Sequence, residues 1–328
     1  MRKVLEAIGV GVAVFTLVLG TTLVAAVTLG DNPSSAARPV SLTVFVGSAT
    51  IQRAGSAVSA VGHSGEGLGS GDSVTTGESS KASLRYPDGS VTRLDSSTRV
   101  TLTVSARSSD GGGLQAAVAQ AAGLTWNRVQ KLVGASSFKV TGPNNSSAEV
   151  RGTGFGYYIE HDAAGSPVIW IDVYDGVVDV GGAVGAPVPT GAGQRVTVRP
   201  GAIPTSPVAI PDSDKHIDFT VFNRAVEAVA GTPIAFSSGA LGTGETSKTY
   251  TVQADGRTDL QFVLAAPPGS NFGLTVTAPN GSVVFDSTSP NSPLVAFAPK
   301  AAAGAWKYTV RDLQSLPQDP YWVVVGRS

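Results

Sequence analysis

Cysteine is absent from all 328 residues, so a disulfide framework, a thiolate nucleophile and a cysteine-based zinc site are all excluded. Charge is scarce too: Asp, Glu, Lys and Arg make up 14% of the chain, against a usual ~25%. The two signs nearly cancel, 23 basic against 24 acidic residues, for a net charge of -1. Nucleic-acid binding, which needs a basic face or stripe, is therefore not expected. Histidine occurs only three times, at His63, His161 and His216. Glycine, in contrast, is abundant at 40 residues, and 42% of the chain is hydrophobic, enough to build cores. At about 150 residues per domain the length suggests two domains. The composition reads as mainly β.

The motifs of catalysis are missing as well. A Ser-His-Asp triad needs a histidine close to a serine and an acid. Gly62-His63-Ser64-Gly65 lacks the Gly-x-Ser-x-Gly spacing of a nucleophile elbow, and Gly71-Asp72-Ser73 is not followed by glycine. All three histidines read as isolated surface residues. No His-x-x-x-His pair or EF-hand loop is present, and Asp212, Asp214 and Asp218 form only a loose acidic cluster. Asp110-Gly111-Gly112-Gly113 lacks the lysine of a phosphate-cradling loop. No cofactor, metal site or enzyme is expected.

A long uncharged and almost wholly apolar run stands at the start of the chain. Residues 8–30 carry no charge and are rich in Val, Leu, Ile, Ala and Phe. As a helix this run would span about 34 Å, against a hydrocarbon core of ~30 Å. Arg2 and Lys3 precede it and Asp31 follows, which puts residues 1–7 in the cytoplasm and the rest outside. A signal peptide cleaved near Val24-Ala25-Ala26 is the competing reading, but the run exceeds a typical apolar core of 7–15 residues. The preferred reading is a single-pass anchor at 8–30, with a Pro/Ser/Ala linker at 31–41.

Beyond the linker, apolar and polar residues alternate with period two, as half-buried strands do. Val100, Leu102 and Val104 show it, as do Ala82, Leu84 and Tyr86 before a Pro87-Asp88-Gly89-Ser90 turn. Asp175-Gly176 separates two β-branched runs, a two-residue hairpin signal. One exception is expected: the Ala- and Gln-rich stretch 113–122 reads as a helix stopped by Gly123.

Four ordered pieces of this region resemble the FecR-like extracytoplasmic domain, placed at 42–202. They are Gly71-Asp72-Ser73-Val74-Thr75-Thr76-Gly77; Tyr86-Pro87-Asp88-Gly89-Ser90; Phe138-Lys139-Val140-Thr141 leading to Arg151-Gly152-Thr153-Gly154-Phe155; and Val173 through Val180, then Gly193-Gln194. Gly71, Asp72, Gly77, Asp88, Gly89, Arg151, Gly152, Thr153, Phe155, Gly176 and Gln194 are read as structural motif residues, not as a ligand site. Gly77, Gly89 and Gly176 suit positive φ, and Gly152 and Gly154 suit close backbone approach beside Phe155. The resemblance implies cell-surface signalling from the bacterial cytoplasmic membrane. Typical FecR regulators also carry a cytoplasmic domain that controls a sigma factor, and here about seven residues are expected inside.

Residues 203–247 read as a linker with one amphipathic helix at 218–230, on the spacing of Phe219, Phe222, Val226 and Val229 before Gly231. Residues 248–328 read as a small β-sandwich of five to seven short strands. They resemble the bacterial pre-peptidase C-terminal domain through Gly273-Leu274-Thr275-Val276, Pro279-Asn280-Gly281 and the run Ala303 to Asp312. The acidic pair often found in that family is replaced here by Asn271-Phe272, and calcium binding stays an open question for this domain. The expected function is a non-enzymatic binding, sensing or scaffolding module of the cell envelope, its partners being the membrane and an envelope protein or glycan. A FecR-type regulator acting through another membrane protein is the first alternative, and an extracellular hydrolase using Ser64 or Ser73 the second.

Overall fold

The computed structural model describes residues 40–107, 114–131, 136–211, 214–241, 245–313 and 319–328. The anchor expected at 8–30 lies outside them; among the described residues no helix is long and apolar enough to cross a membrane.

Val40–Ser328 forms one compact unit, mainly β. Its first part runs β1 Val40–Val46, β2 Ala49–Gln52, β3 Ser59–Gly62, β4 Gly67–Leu68, β5 Ser73–Thr76, β6 Lys81–Arg85, β7 Val91–Leu94 and β8 Arg99–Arg107. It continues with β9 Leu114–Arg128, β10 Ser137–Thr141, β11 Ser147–Val150, β12 Gly154–His161, β13 Pro167–Asp175, β14 Val177–Gly181, β15 Val188–Gly191, β16 Gln194–Val198 and β17 Val208–Ala209. A helix, α1 Ile217–Ala228, follows. The last part holds β18 Thr232–Ala240, β19 Ser247–Ala254, β20 Leu260–Ala265, β21 Phe272–Thr277, β22 Val283–Ser289, β23 Leu294–Ala298, β24 Gly304–Asp312 and β25 Pro320–Arg327.

Strands β1 to β17 make a two-layer sandwich. One layer runs β4-β1-β6-β7-β9-β12-β13-β16-β17 and the other β3-β2-β5-β8-β9-β10-β11-β14-β15. Only β9–β10 is parallel among these pairings. Between the layers lies a core that includes Leu42, Ile51, Leu84, Leu102, Phe138, Phe155, Ile171 and Val178, each of these at most 2% exposed. Burying each such side chain contributes about 1.5–3 kcal/mol.

The helix expected at 113–122 is not there: residues 114–122 are the first nine of the 15-residue strand β9, and Gly113 lies outside the described residues. Ala and Gln favour a helix locally, but this segment can complete ladders with β8 on one side and β10 on the other, and tertiary pairing decides. Gly123 is a corner within the strand, not a helix stop. Up to Ala122 the strand belongs to the second layer, and from Gly123 it pairs with β12 in the first. The bend takes φ to +79°, and a Cβ there would lie 2.6 Å from Thr98 Cα, so only glycine fits.

The last eight strands build two four-stranded antiparallel sheets, β18-β25-β20-β23 and β19-β24-β21-β22, around Phe262, Leu274, Trp306, Tyr308 and Tyr321. This sandwich opens at Thr232, earlier than the boundary at 248. Ser237 to Ala240, expected as flexible linker, pair with Val323 to Pro320. Small polar residues suit this strand because its burial is only partial.

Helix α1 forms where Phe219, Phe222 and Val226 repeat at three- and four-residue steps, with Asp218 in the first turn to meet the positive helix end. It stops at Val229, whose backbone is extended, before Gly231 at φ +78°. A third apolar cluster surrounds it. Trp126 and Tyr158 come from the first sandwich, Phe219, Phe222 and Ala225 from α1, and Val263, Trp322 and Val324 from the last sheets. The helix is thus packed between the two sandwiches.

Candidate functional site

The side chains that join the two sandwiches come from one face of one sheet. Strand alternation puts Ile169, Ile171 and Val173 of β13 into the first core, which leaves Trp170, Asp172 and Tyr174 on the opposite face. The same rule puts Ser83 and Arg85 of β6, Arg93 of β7, Trp126 and Arg128 of β9, and Arg195 of β16 on that outer face. Alternation of this kind ordinarily marks a solvent-facing side, yet Trp126, Asp172, Arg93 and Arg195 are buried, because α1 and the second sandwich cover them.

Three polar clusters lie in this junction. In the first, Lys81 is 5% exposed and its Nζ donates to Asp95 Oδ1 at 2.5 Å and to Asp218 Oδ2 at 3.4 Å. The same ammonium lies 5.1 to 5.2 Å from the ring centroids of Phe219, Phe222 and Trp322, inside cation–π range. Trp322 Nε1 donates to Asp218 Oδ1 at 2.7 Å, so one helix carboxylate ties a strand of each sandwich.

In the second cluster, Glu227 Oε1 accepts from Arg93 Nη1 at 3.0 Å and from Trp126 Nε1 at 2.8 Å. Arg93 also donates to Asn223 Oδ1 at 3.2 Å. Burial holds the Arg93 guanidinium below its ordinary pKa, an effect that Glu227 opposes and that nearby Arg85 and Arg128 reinforce.

The third cluster surrounds His216, the residue before α1, which is 4% exposed. The isolated surface position expected for it is therefore incorrect, whereas His63 and His161 are exposed. The local cause is the turn into α1: His216 N donates to Asp214 Oδ1 at 2.9 Å and Thr220 N donates to His216 O at 3.0 Å, which folds the ring onto Tyr158 and Trp170. Its Nε2 lies 2.6 Å from Glu160 Oε1. Its Nδ1 is 3.0 Å from Asp214 Oδ1, but without the geometry of a hydrogen bond. Arg195 donates to both Asp172 oxygens at 2.5 and 2.6 Å and also to Asp214, while its guanidinium stacks 4.5 Å from the Trp170 ring.

Charge is shared unevenly in that cluster. Burial alone would raise the Asp214 pKa, but His216 and Arg195 outweigh it and hold the carboxyl well below the usual range. At Asp172, 1% exposed, burial wins over Arg195 and the pKa is raised. Burial also pushes the Tyr158 and Tyr174 hydroxyls upward. Each carboxylate thus faces a cation or an aromatic donor, an arrangement suited to clasping two structures together. Among the described residues no group of three or more His, Asp and Glu side chains could hold a metal ion. Of the loose acidic cluster, Asp212 lies outside the described residues; Asp214 and Asp218 belong to two different clusters here.

The motif residues occupy separate places. Gly71 is at φ +88°, and Asp72 accepts from Ala54 N and Gly69 N at 2.9 Å each and from Arg53 Nη1 at 2.8 Å. Burial would raise the Asp72 pKa, but these donors reverse the sign and lower it. Asp88 accepts from Ser90 N and Ser90 Oγ, with Gly89 at φ +90° completing the β6–β7 turn. Gly77 does not take positive φ; a Cβ there would lie 2.7 Å from Ser48 Oγ, so close packing explains the glycine. Gly152 sits at φ +126° against Lys131 Cα, Gly176 at φ +76° against Thr153, and Phe155 is fully buried beside them. Arg151 is exposed, and Gln194 Oε1 accepts from Gly191 N at 2.9 Å.

The two serines weighed as nucleophiles have other partners. Ser73 Oγ pairs with Thr101 Oγ1 at 2.7 Å, and Ser64 Oγ accepts from Val44 N at 2.9 Å.

The FecR protein family model matches residues 72–179. Among solved structures, one provisionally described as an anti-sigma factor from Parabacteroides distasonis is 16% identical, with 46% of this chain and 64% of that one covered at a TM-score of 0.35. An infectious bursal virus particle protein is 10% identical over 90% of this chain and 71% of that one, at a TM-score of 0.17. No curated protein matches. The matched residues include the strands of the first sandwich that carry Lys81, Arg93, Trp126 and Asp172.

Proposed function

We propose that the protein is a membrane-anchored, extracytoplasmic module of the bacterial cell envelope that binds, senses or scaffolds and performs no catalysis. The observation that carries this reading is the FecR domain at 72–179 downstream of an uncharged run at 8–30 of membrane-spanning length. The order of basic residues, apolar run and exported domain supports an N-terminus inside and the bulk of the chain outside. The second sandwich acts as a domain of the pre-peptidase C-terminal type. Its Gly273-Leu274-Thr275-Val276 and Trp306 to Asp312 motifs occupy the adjacent strands β21 and β24, which supports that reading.

A second reading, a FecR-type regulator acting through another membrane protein, is favoured by the FecR domain itself. One experiment serves both. The full chain with a C-terminal tag is expressed in a bacterial host, fractionated, and treated with external protease after the outer layers are opened. Membrane recovery with a protease-accessible tag is expected; a tag in the soluble cytoplasmic fraction would contradict the proposal. Replacing residues 8–30 by an unrelated anchor then separates the readings: a binding module keeps its envelope partner, and a signalling regulator loses its output.

A further inference from the structure

Helix α1 and the second sandwich do not fill all the space above the outer face of the first sandwich. A cavity of about 330 Å³ is left there, lined by two arginines, Arg85 and Arg93, and by no acidic residue. Sheet register explains why the arginines meet. Thr43, Ser83 and Arg93 are direct neighbours across β1, β6 and β7, while Arg85 is opposite Val91, two residues before Arg93. The two arginines are therefore diagonal neighbours on one face, about 7–8 Å apart at the backbone.

Neither guanidinium is used up by the fold. Arg93 is 7% exposed, and only its Nη1 is engaged, by Asn223 Oδ1 and Glu227 Oε1. Its Nε and Nη2 have no acceptor among the described residues, and neither atom is sealed from solvent. That Nε–Nη2 edge is the fork with which Arg195 grips both oxygens of Asp172. Arg85 is exposed and has no hydrogen bond or ion pair among the described residues. The Ser83 hydroxyl, on a residue only 6% exposed, is likewise without a partner there. Burial, and after it the charge of Arg85, works against the Arg93 cation, and Glu227 only partly offsets them. The cavity thus carries excess positive charge and open donors beside an apolar wall of Phe45, Val226 and Val229.

We propose that this cavity binds a small organic carboxylate. The Nε–Nη2 edge of Arg93 takes both carboxylate oxygens, Arg85 supplies a second cation, and the Ser83 hydroxyl donates from the strand of Arg85. The apolar body of the ligand lies against Phe45 and Val226. That wall sets the preference for an organic acid over inorganic phosphate, which has no apolar surface to bury. The volume is near the lower end of the usual ~300–1,000 Å³ for ligand pockets, which limits the body to a ring or a short chain. Thr232 and Pro233, where the second sandwich begins, close the other side, so an occupant touches α1 and both sandwiches. This chemistry is independent of where in the cell the protein resides.

Calorimetric titration of the full-length chain in detergent with acetate, butyrate, benzoate and inorganic phosphate tests the site. Benzoate should bind saturably, one per chain, and raise the melting temperature. Affinity should climb from acetate to benzoate, and phosphate should bind more weakly than benzoate. Arg85→Gln is the informative variant, because Arg85 is exposed, whereas Arg93 also holds Glu227 and α1. It should weaken benzoate about tenfold or more, as loss of a hydrogen bond between charged groups does. The melting temperature of the ligand-free variant should not fall. No benzoate binding up to its solubility limit, equal affinity in Arg85→Gln, or phosphate binding as tightly as benzoate would each overturn the proposal.

Discussion

The ammonium of Lys81, on a strand of the first sandwich, lies 5.1 Å from the ring centroid of Trp322, on a strand of the second sandwich. Helix α1 supplies the other two rings and the Asp218 carboxylate around the same cation. One charge thereby couples three elements that are far apart in sequence, and its surroundings allow an ordered set of expectations.

Removing the cation should cost more than removing the pair. Lys81→Met leaves Asp95, 9% exposed, without its partner, and uncompensated buried charge costs about 3–5 kcal/mol. Lys81→Met with Asp95→Asn should recover most of that loss. Urea denaturation of the two variants checks the order; equal losses would place the ion pair outside the stability of the junction.

Glu227 ties α1 to Arg93 and Trp126 through two hydrogen bonds, one of them to a charged group. Glu227→Ala leaves both buried donors unpaired, at roughly 1–3 kcal/mol. The loss should fall on the docking of the helix before it reaches either core. Limited proteolysis should therefore cut at 203–216 faster than in the wild type, while melting of the first sandwich's core shifts little.

At Gly123 the expectation is failure to fold. A Cβ would meet Thr98 Cα at 2.6 Å and the backbone is at φ +79°, where an L residue alone costs of order 1–3 kcal/mol before the clash. Gly123→Ala should abolish the cooperative transition seen by circular dichroism. A mild shift of a degree or two would mean that β9 does not turn its corner there.

Acid should act through Asp214. Its folded pKa is depressed, so its contribution is present above the ordinary carboxylate value and is lost as pH falls through that value toward the folded one. Asp172 is shifted the other way by burial, and its contribution has the opposite sign, fading as pH rises through its raised value. Between about pH 4 and pH 2 the wild type should therefore lose stability that Asp214→Asn lacks throughout. Denaturant midpoints of the two proteins should converge at low pH; parallel curves would contradict the assignment.

Much of the first sandwich can be read from residues alone, because its turns use Asp88-Gly89 and Asp175-Gly176 and its strands alternate regularly. Strand β9 cannot: Ala116, Ala117, Ala119, Ala121 and Ala122 favour a helix, and only the neighbouring strands reveal what the segment completes. The junction is hidden for a related reason. Trp170-Ile171-Asp172-Val173-Tyr174 alternates as a half-exposed strand does, and nothing local says that a helix some 45 residues later covers the outer side chains. The burial of His216 follows from that cover alone. One usable sign was present: Trp126, Trp170 and Tyr174 are bulky aromatics on the polar side of their strands, a side that solvent would rarely face with three such rings.

The claim on which the rest depends is that α1 docks the two sandwiches into one unit. Amide hydrogen exchange of the intact protein tests it most directly, read over residues 217–228. The account predicts slow exchange there, close to that of β12 and β13, and faster exchange over the same residues in Lys81→Met. Exchange at 217–228 as fast as in an isolated peptide, unchanged by Lys81→Met, would contradict it.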